Sequence, residues 1–512
     1  MNQTSNTVVQ TQKGKVEGSF EDGLLVFRGI PYAAPPVGEL RWMPPKPAPA
    51  WKGIRSARHF GPIAPQNPMV FEGLMGAQEP EPQSEDCLFL NIYTPGLDDK
   101  KRPVMVWIHG GAFSLGSGSM AMFRSGSLAK RGDVVLVTIN YRLGILGFLN
   151  LKELTGGKIP STGNEGLLDQ VAALEWVKAN IAGFGGDPDN VTIFGESAGG
   201  MSVACLMVLP KAQGLFHKAI IESAVGAIGR PLNVSVKIAG IFLKAVGLKA
   251  TDIEALKALP IPAILAAHNR VALETGQGAA PFIPVADGKI MPLMPLEAFA
   301  AGKASPVPTI VGSNLDEQKL FSMMDPNSAK MDKQILVKML ERNVPQDKIT
   351  GLIETYRQAR LKRSLPVTPF ELFSAINSDL MFRQIALHIT SSQHFNSVPA
   401  YHYLFTWVSP AAGGALGACH GLEVGFVFGT YEPLFSGSGP GADKLCQQIQ
   451  DAWTTFARTG NPSTKSLGKW LKYGTARNTM IISENCRLEK KVLEEERQAW
   501  EKVGQVNLMN ML

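Results

Sequence analysis

Short, nearly continuous apolar runs alternate with segments of helical periodicity through most of the chain. These runs are rich in Val, Ile and aromatic residues, as is typical of strands that are buried on both faces of a sheet. We predict strands at residues 104–108, 134–139, 191–194, 219–221, 309–311, 401–407 and 480–482. Because helical segments separate the strands, the pattern predicts a mostly parallel α/β sheet with right-handed crossovers and helices on its faces.

The clearest helical pattern covers about residues 164–182, between the second and third runs. Leu167, Val171 and Leu174 recur at intervals of three and four residues, which places them on one face of a helix. Asn164 stands where a capping residue is expected. The segment is therefore predicted to be a crossover helix between two buried strands.

The N-terminal hundred residues have a different pattern, in which Gly and Pro interrupt short β-like pieces at 7–11 and 24–27. We interpret this part as a small antiparallel sheet with long surface loops. Residues 235–300 and 328–395 are helical and lie between predicted strands, so we expect insertions over the active-site cleft. No linker or internal repeat interrupts the chain, and residues 1–512 are predicted to form a single catalytic domain.

Composition excludes several classes of protein. With 45% apolar and 18% charged residues, the 512-residue chain can bury a large core, and it has no apolar run long enough for a membrane span. A net charge of +6 without a basic block is not typical of a nucleic-acid binder. The five cysteines form no disulfide or zinc pattern, and no secretory signal begins the chain. We expect a reduced, cytoplasmic protein with no metal.

The most informative motif is G-x-S-x-G, in which Ser197 lies between Gly195 and Gly199. It directly follows the predicted strand at 191–194 and precedes a helix-like apolar segment at 201–209. A serine at such a sharp strand-to-helix turn has a strained backbone, and the flanking glycines remove the Cβ atoms that would clash. The context predicts a nucleophilic serine above the sheet.

A second glycine-rich turn follows the strand at 104–108, at His109-Gly110-Gly111. Adjacent glycines allow two backbone N–H groups to point toward one position. Together with the N–H of Ala198, those of Gly110 and Gly111 would form an oxyanion hole. The alternative is a plain glycine turn.

A nucleophilic serine needs a histidine as base and an acid that orients the histidine. When the serine lies in a G-x-S-x-G turn of this kind, the acid follows it in the chain and the histidine follows the acid. From its position in a loop of small residues, His420 is the best candidate for the base. Of the other late histidines, we predict His388 in a helix, His394 in a polar loop and His402 in a strand. Two neighbouring carboxylates, Asp316 and Glu317, follow the strand at 309–311. Layout alone leaves the choice between them open.

Seven segments are distributed along almost the whole chain: FRGIPYA at 27–33, SEDCLFLN at 84–91, NYRLG at 140–144, the stretch 184–200, HGLE at 420–423, FVFG at 426–429 and TGNP at 459–462. In these segments and their order the chain resembles the type-B carboxylesterase/lipase family, with bacterial para-nitrobenzyl esterases nearest. The resemblance implies an α/β-hydrolase fold and a catalytic triad that falls on Ser197, Glu317 and His420.

The resemblance also assigns supporting roles and shows departures. Ser223 and Glu196 match residues that support the triad, and Gln318 replaces the glycine that usually follows the acid. Cys87 is the first cysteine, so the disulfide of secreted members cannot form. Ala77 stands where cholinesterases have a choline-stacking Trp, which disfavours acetylcholine as a substrate.

These observations predict a serine carboxylesterase that hydrolyses small to medium apolar esters through an acyl-enzyme, with no cofactor and as a monomer or dimer. The alternatives are a specialised hydrolase of carbamates, polyesters, lactones or amides, and a non-catalytic binding protein like the neuroligins. Several apolar residues near the expected cleft fit this substrate class, although we expect most of them in the core: Phe113, Met120, Phe321, Met323, Met324, Phe373 and Met381.

Overall fold

The computed structural model describes residues 7–68, 81–124, 126–278, 280–323 and 328–504. The strands in these ranges are β1 (Val8–Gln10), β2 (Lys15–Glu17), β3 (Ser19–Glu21), β4 (Leu24–Pro31), β5 (Ile54–Ser56), β6 (Phe89–Thr94), β7 (Arg102–Ile108), β8 (Val135–Ile139), β9 (Gly186–Glu196), β10 (Lys218–Glu222), β11 (Arg230–Pro231), β12 (Val285–Ala286), β13 (Thr309–Asn314), β14 (Ala400–Phe405), β15 (Asn478–Ile482) and β16 (Arg487–Lys490).

The α-helices of the same ranges are α1 (Ser127–Gly132), α2 (Gly144–Phe148), α3 (Glu165–Asn180), α4 (Ala198–Val208), α5 (Leu232–Val246), α6 (Ile253–Lys257), α7 (Ile261–Thr275), α8 (Pro295–Ala300), α9 (Gln318–Ser322), α10 (Lys333–Leu340), α11 (Gln346–Lys362), α12 (Pro369–Ser378), α13 (Gln384–Phe395), α14 (Val424–Phe428), α15 (Pro433–Ser436), α16 (Pro440–Thr459) and α17 (Glu494–Val503). A π-helical turn, Asp379–Arg383, joins α12 to α13.

The main sheet has eleven strands among the described residues, in the order β16-β15-β14-β13-β10-β9-β7-β8-β6-β4-β3. The seven strands from β15 to β8 pair in parallel, and antiparallel strands complete both edges. The prediction of a mostly parallel sheet is confirmed. The N-terminal sheet that we predicted as antiparallel is mixed, because β1 and β2 pair antiparallel but β5 joins β2 in parallel. The predicted β-like piece at 24–27 lies in β4 of the main sheet instead.

The strands are apolar on both faces because both faces are covered. Along β7, Val104 and Val106 pack into one buried cluster, whereas Met105 and Trp107 pack into another on the opposite face. Alternate side chains of a strand point to opposite faces, so each face contributes its own set to a core. A third cluster joins α10, α11 and α12 to α17, away from the sheet.

The crossover helix forms where its periodicity predicts, but Asn164 does not cap it. The Asn164 side chain makes no hydrogen bond to the first turn of α3. It pairs instead with both backbone groups of Val285, at 2.9 Å each. Glu165, the first residue of α3, accepts with its carboxylate the N–H groups of Thr162 and Gly163, which precede the helix. A long-range contact has therefore replaced the local cap that the sequence suggests.

The segments 235–300 and 328–395 are largely helical and lie in the connections from β10 to β13 and from β13 to β14, respectively. One assignment in the second segment was wrong. His394, which we predicted in a polar loop, lies in α13, because the apolar positions before it extend the helix to Phe395. None of the helices within the described ranges has both the length and the apolar character needed to cross a bilayer.

Candidate active site

Ser197 lies at the junction of β9 and α4, with a φ of 58° and a ψ of −123°. Such a backbone conformation is rare and strained for a residue with a side chain. The packing around the turn explains the glycines, because a Cβ would lie 2.6 Å from Ile108 O at Gly195 and 2.0 Å from it at Gly199. The Ser197 N–H donates to Glu222 O at 3.0 Å and fixes the turn to β10.

The glycine turn after β7 lies directly against this serine. A Cβ on Gly110 would be 3.2 Å from the Ser197 Cβ, and Gly111 has a φ of +106° that favours glycine. Gly110, Gly111 and Ala198 all line the cavity that contains Ser197. Among the described residues, no hydrogen bond uses the N–H groups of these three residues. The three donors are thus available to a ligand.

The His109 side chain packs beside the glycine turn that follows β7. Its ring stacks on Tyr141 with centroids 4.4 Å apart, and the Tyr141 hydroxyl donates to His109 O at 2.9 Å. The side chain is fully buried, and this burial lowers the pKa of His109 to about 4. The ring is neutral at pH 7, and we assign it to the support of the turn.

Glu317 and His420 are in direct contact, although 103 residues separate them. Glu317 Oε2 lies 2.6 Å from His420 Nδ1. Its other oxygen, Oε1, accepts hydrogen bonds from Ser223 Oγ at 2.6 Å and from the Asn314 N–H at 2.7 Å. This carboxylate is completely buried and has three donors, so it fixes the orientation of the imidazole.

The neighbouring carboxylate does not reach the ring. Asp316 Oδ2 accepts the N–H of Ala418 at 3.0 Å instead. Of the two acids that layout left open, Glu317 is the one that contacts His420. The contact of Ser223 with Glu317 agrees with the supporting position that we expected for this serine.

Gln318 does not displace the acid. Gln318 is the first residue of α9, and Glu317 before it already has helical backbone angles. Position 318 therefore does not require glycine. The Gln318 N–H donates to Ser378 Oγ at 3.0 Å, and its side chain accepts from Asn377 Nδ2 at 2.6 Å. The substitution thus links α9 to α12 while Glu317 keeps its contact with His420.

Ser197 and His420 line the same cavity, but no hydrogen bond between the described residues joins their side chains. His420 Nε2 lies 3.1 Å from Glu196 Oε1. This contact has the distance of an ion pair without hydrogen-bond geometry, since Glu196 Oε1 has no hydrogen-bond partner among the described residues. The carboxylate of Glu196 therefore faces the ring nitrogen of His420 that Glu317 does not contact.

Buried carboxylates surround this histidine. Burial opposes protonation of His420, but the charges of Glu196 and Glu317 outweigh it and raise the pKa of His420 to about 9. Burial raises the pKa of Glu196 to about 7 and that of Glu222 to about 8, and it raises the pKa of Glu423 well above its ordinary value. The site therefore binds protons strongly, and each ionisation depends on its neighbours.

Three residues that lie near His420 were not identified from the sequence: Phe382, Asn314 and Glu423. The rings of Phe321 and Phe382 each have their centroid 5.0 Å from that of His420, and only Phe321 was noted as a cleft residue. Asn314 Nδ2 donates to Cys419 O at 2.8 Å and to Glu423 Oε2 at 2.5 Å. Glu423 lies in the HGLE segment on which the resemblance rests, and Asn314 stands three residues before Glu317; these positions are the signals that could have marked them.

The cavity has a volume of about 600 Å³, and aromatic, Met and glycine residues form much of its wall. Five of the apolar candidates line this cavity: Phe113, Met120, Phe321, Phe373 and Met381. All of them except Phe321 are also buried, as we expected of core residues. Met323 is 48% exposed and does not line the cavity. Met324 and Ala77 lie outside the described residues.

The other candidate histidines lie elsewhere. His388 Nε2 is 3.1 Å from Leu296 O, and His402 is buried in β14, as its apolar surroundings predict. Neither of them nor His394 lines the cavity. All five cysteines, which the described ranges contain, are free thiols.

The chain is similar to known proteins over nearly its whole length. Residues 5–500 match the sequence model of the Carboxylesterase family. The para-nitrobenzyl esterase of Bacillus subtilis is 37% identical over 96% of this chain and 98% of its own. The phenmedipham hydrolase of Pseudarthrobacter oxydans is 35% identical over 90% and 92%. The carboxylesterase of Geobacillus stearothermophilus, solved at pH 6.2, superposes with a TM-score of 0.84 at 36% identity, over 96% of this chain and 100% of that one.

The parallel sheet, the flanking helices and a serine elbow at the carboxyl edge of the sheet define an α/β-hydrolase. The chain belongs to the carboxylesterase family, and it is accordingly a serine carboxylesterase, an enzyme that hydrolyses carboxylic esters.

Proposed function

We propose that this enzyme hydrolyses apolar esters of small to medium size through a triad of Ser197, His420 and Glu317. The observation that supports this most strongly is the 2.6 Å contact between Glu317 Oε2 and His420 Nδ1 beside the cavity that contains Ser197. Ser197 and His420 line one cavity, and Glu317 contacts His420 from a third segment, which supports the arrangement that acyl transfer requires.

In the first step, His420 Nε2 takes the Ser197 proton while Oγ attacks the ester carbonyl carbon. The N–H groups of Gly110, Gly111 and Ala198 stabilise the negative charge on the carbonyl oxygen. The tetrahedral intermediate collapses when its C–O bond to the alcohol breaks and His420 gives its proton to the leaving alkoxide. The alcohol departs, and Ser197 holds the acyl group as an ester.

In the second step, His420 takes a proton from water as the water oxygen attacks the acyl-enzyme carbonyl. The same three N–H groups stabilise the second oxyanion. The bond to Ser197 Oγ then breaks, Ser197 regains a proton from His420, and the carboxylic acid leaves. Glu317 holds the imidazole ring in both steps and stabilises the imidazolium that forms twice.

The apolar cavity wall supports the preference for apolar esters. A volume of about 600 Å³ is within the range of pockets for small molecules. We further propose that residues 1–512 act as one catalytic domain with helical insertions at about 235–300 and 328–395, and that the enzyme works in the cytoplasm. The five free thiols support this location, because disulfides are rare in reducing compartments.

The test is a substrate panel with the purified enzyme. We expect hydrolysis of p-nitrophenyl acetate and butyrate, with much slower turnover of matched p-nitrophenyl carbamates and p-nitroanilides. Preferred turnover of the carbamates or anilides would contradict the proposed substrate class. Failure to hydrolyse any ester, by folded protein, would contradict the activity itself.

A further inference from the structure

The end of β13 and the turn that follows it contact three consecutive residues of the loop that contains His420. Glu317 holds the His420 ring, Asn314 Nδ2 donates to Cys419 O at 2.8 Å, and Asp316 is paired with Ala418. Glu317 orients the ring, whereas the other two contacts act on the backbone that places the ring. This difference gives Asp316 a role that layout and resemblance did not assign.

The pairing of Asp316 with Ala418 is reciprocal. The Asp316 N–H donates to Ala418 O at 2.9 Å, and the Ala418 N–H donates to Asp316 Oδ2 at 3.0 Å. Gly417, with a φ of +57°, lies against the same carboxylate, since a Cβ there would be 2.4 Å from Oδ2. The Asp316 side chain is 15% exposed. The Asp316 carboxylate is thus packed against the loop rather than solvated.

A chain of charges holds the Asp316 carboxylate in place. Lys319 Nζ lies 3.4 Å from Asp316 Oδ1 and 3.3 Å from Glu371 Oε1. Glu371 Oε2 in turn lies 2.7 Å from the Arg360 guanidinium. All four side chains are less than one-fifth exposed, so the chain connects the loop to α11 and α12 through poorly hydrated groups.

We propose that Asp316 is a positioning residue, which fixes the height of the His420 loop above Ser197 through its two bonds to Ala418. The proposal rests on the proposed function, because it concerns the base of that triad. Ala418 lies two residues before His420, so a shift of its backbone moves the imidazole directly. Displacements of about 1 Å in a catalytic group can reduce rates about 100-fold.

The experiment compares Asp316→Ala with Asp316→Asn in steady-state hydrolysis of p-nitrophenyl butyrate. Alanine removes the acceptor of the Ala418 N–H, whereas asparagine retains an oxygen at that position. We expect Asp316→Ala to lower kcat by about 10- to 100-fold with KM within about twofold, and Asp316→Asn to retain kcat within about threefold. Rescue by asparagine separates a backbone contact from a requirement for charge.

Asp287→Ala is the matched control. Asp287 Oδ1 accepts three backbone N–H groups, from Lys289, Ile290 and Met291, in a loop that does not line the cavity. Removal of the Asp287 carboxylate takes away acceptors of backbone N–H groups, as Asp316→Ala does, but in a loop outside the cavity. We expect kcat of Asp287→Ala to remain within about twofold of wild type.

An unchanged kcat in Asp316→Ala, or equal losses in the alanine and asparagine variants, would overturn the positioning role. Ser197→Ala is measured in parallel to separate the two proposals. If Ser197→Ala is inactive and Asp316→Ala is fully active, only the positioning role is wrong. If Ser197→Ala retains wild-type activity, the proposed triad is wrong.

Discussion

Glu196 Oε1 lies 3.1 Å from Nε2 of His420, on the opposite side of the ring from the nitrogen that Glu317 binds. The imidazole is thus placed between two buried carboxylates, and its proton affinity depends on both. In the proposed reaction Nε2 must be free of a proton before it can accept one from Ser197. The proximity of Glu196 therefore has a consequence for the pH dependence of hydrolysis.

We predict that kcat/KM for p-nitrophenyl butyrate rises with pH along a limb that lies above 6.5, the ordinary pKa of histidine. Glu196 and Glu317 raise the pKa of His420 to about 9, and only the unprotonated ring is the base. Replacing Glu196 with Gln removes one of the two charges, so the limb should move toward lower pH. The exposed Glu153 provides the control, since Glu153→Gln should leave the limb in place. A limb that moves toward higher pH in Glu196→Gln, or does not move, contradicts the account.

Ser197→Ala should lower kcat by about 10⁴-fold or more, because the acyl-enzyme cannot form without the hydroxyl. Progress curves at 405 nm measure the loss. Ser438→Ala changes an exposed serine outside the cavity and should retain full activity. Comparable activity in the two variants would exclude Ser197 as the nucleophile.

Ser223→Ala should lower kcat by about tenfold, with KM almost unchanged. The Ser223 hydroxyl donates to Glu317 at 2.6 Å, and a hydrogen bond to a charged group contributes about 1.5–3 kcal/mol. Ser313 is the matched control, because its buried hydroxyl in β13 has no partner among the described residues. Ser313→Ala should leave kcat unchanged, and a larger loss there than in Ser223→Ala would argue against a specific role for Ser223.

Gly111→Ala should lower kcat by about 10²- to 10³-fold, the usual cost of losing one oxyanion donor. A Cβ at this position would lie 2.2 Å from Leu115 O, so the turn must shift and its N–H must turn away. Gly157→Ala offers a comparison, since Gly157 has a φ of +82° but open space around it. If both variants retain wild-type kcat, the turn after β7 does not provide the oxyanion hole.

The sequence predicts local features of the site better than long-range ones. The context of Ser197, with a strand before it and a helix after it, follows from hydrophobic pattern and from glycine chemistry. The choice between Asp316 and Glu317 does not follow from these patterns, because both residues are acidic and both follow the same strand. The resemblance assigns the acid to Glu317, and the fold shows that Glu317 contacts the ring of His420 whereas Asp316 contacts the backbone of Ala418.

The contacts that no local pattern predicts involve residues distant in sequence. Phe382 packs against His420 from a π-helical turn whose position depends on α12 and α13. Asn164 pairs with Val285 across 121 residues instead of capping its helix. The cavity wall likewise combines segments from across the chain, so the sequence does not show which of the buried apolar residues line it. Such pairings depend on tertiary packing rather than on local propensity.

The most direct test of the central claim is the covalent mapping of the nucleophile. The enzyme is inactivated with a p-nitrophenyl alkylphosphonate, digested, and the peptides are analysed by tandem mass spectrometry. The account predicts a single stoichiometric adduct on Ser197, which forms at the same rate as activity is lost. Complete inactivation with the adduct on any other residue, and unmodified Ser197, would contradict it.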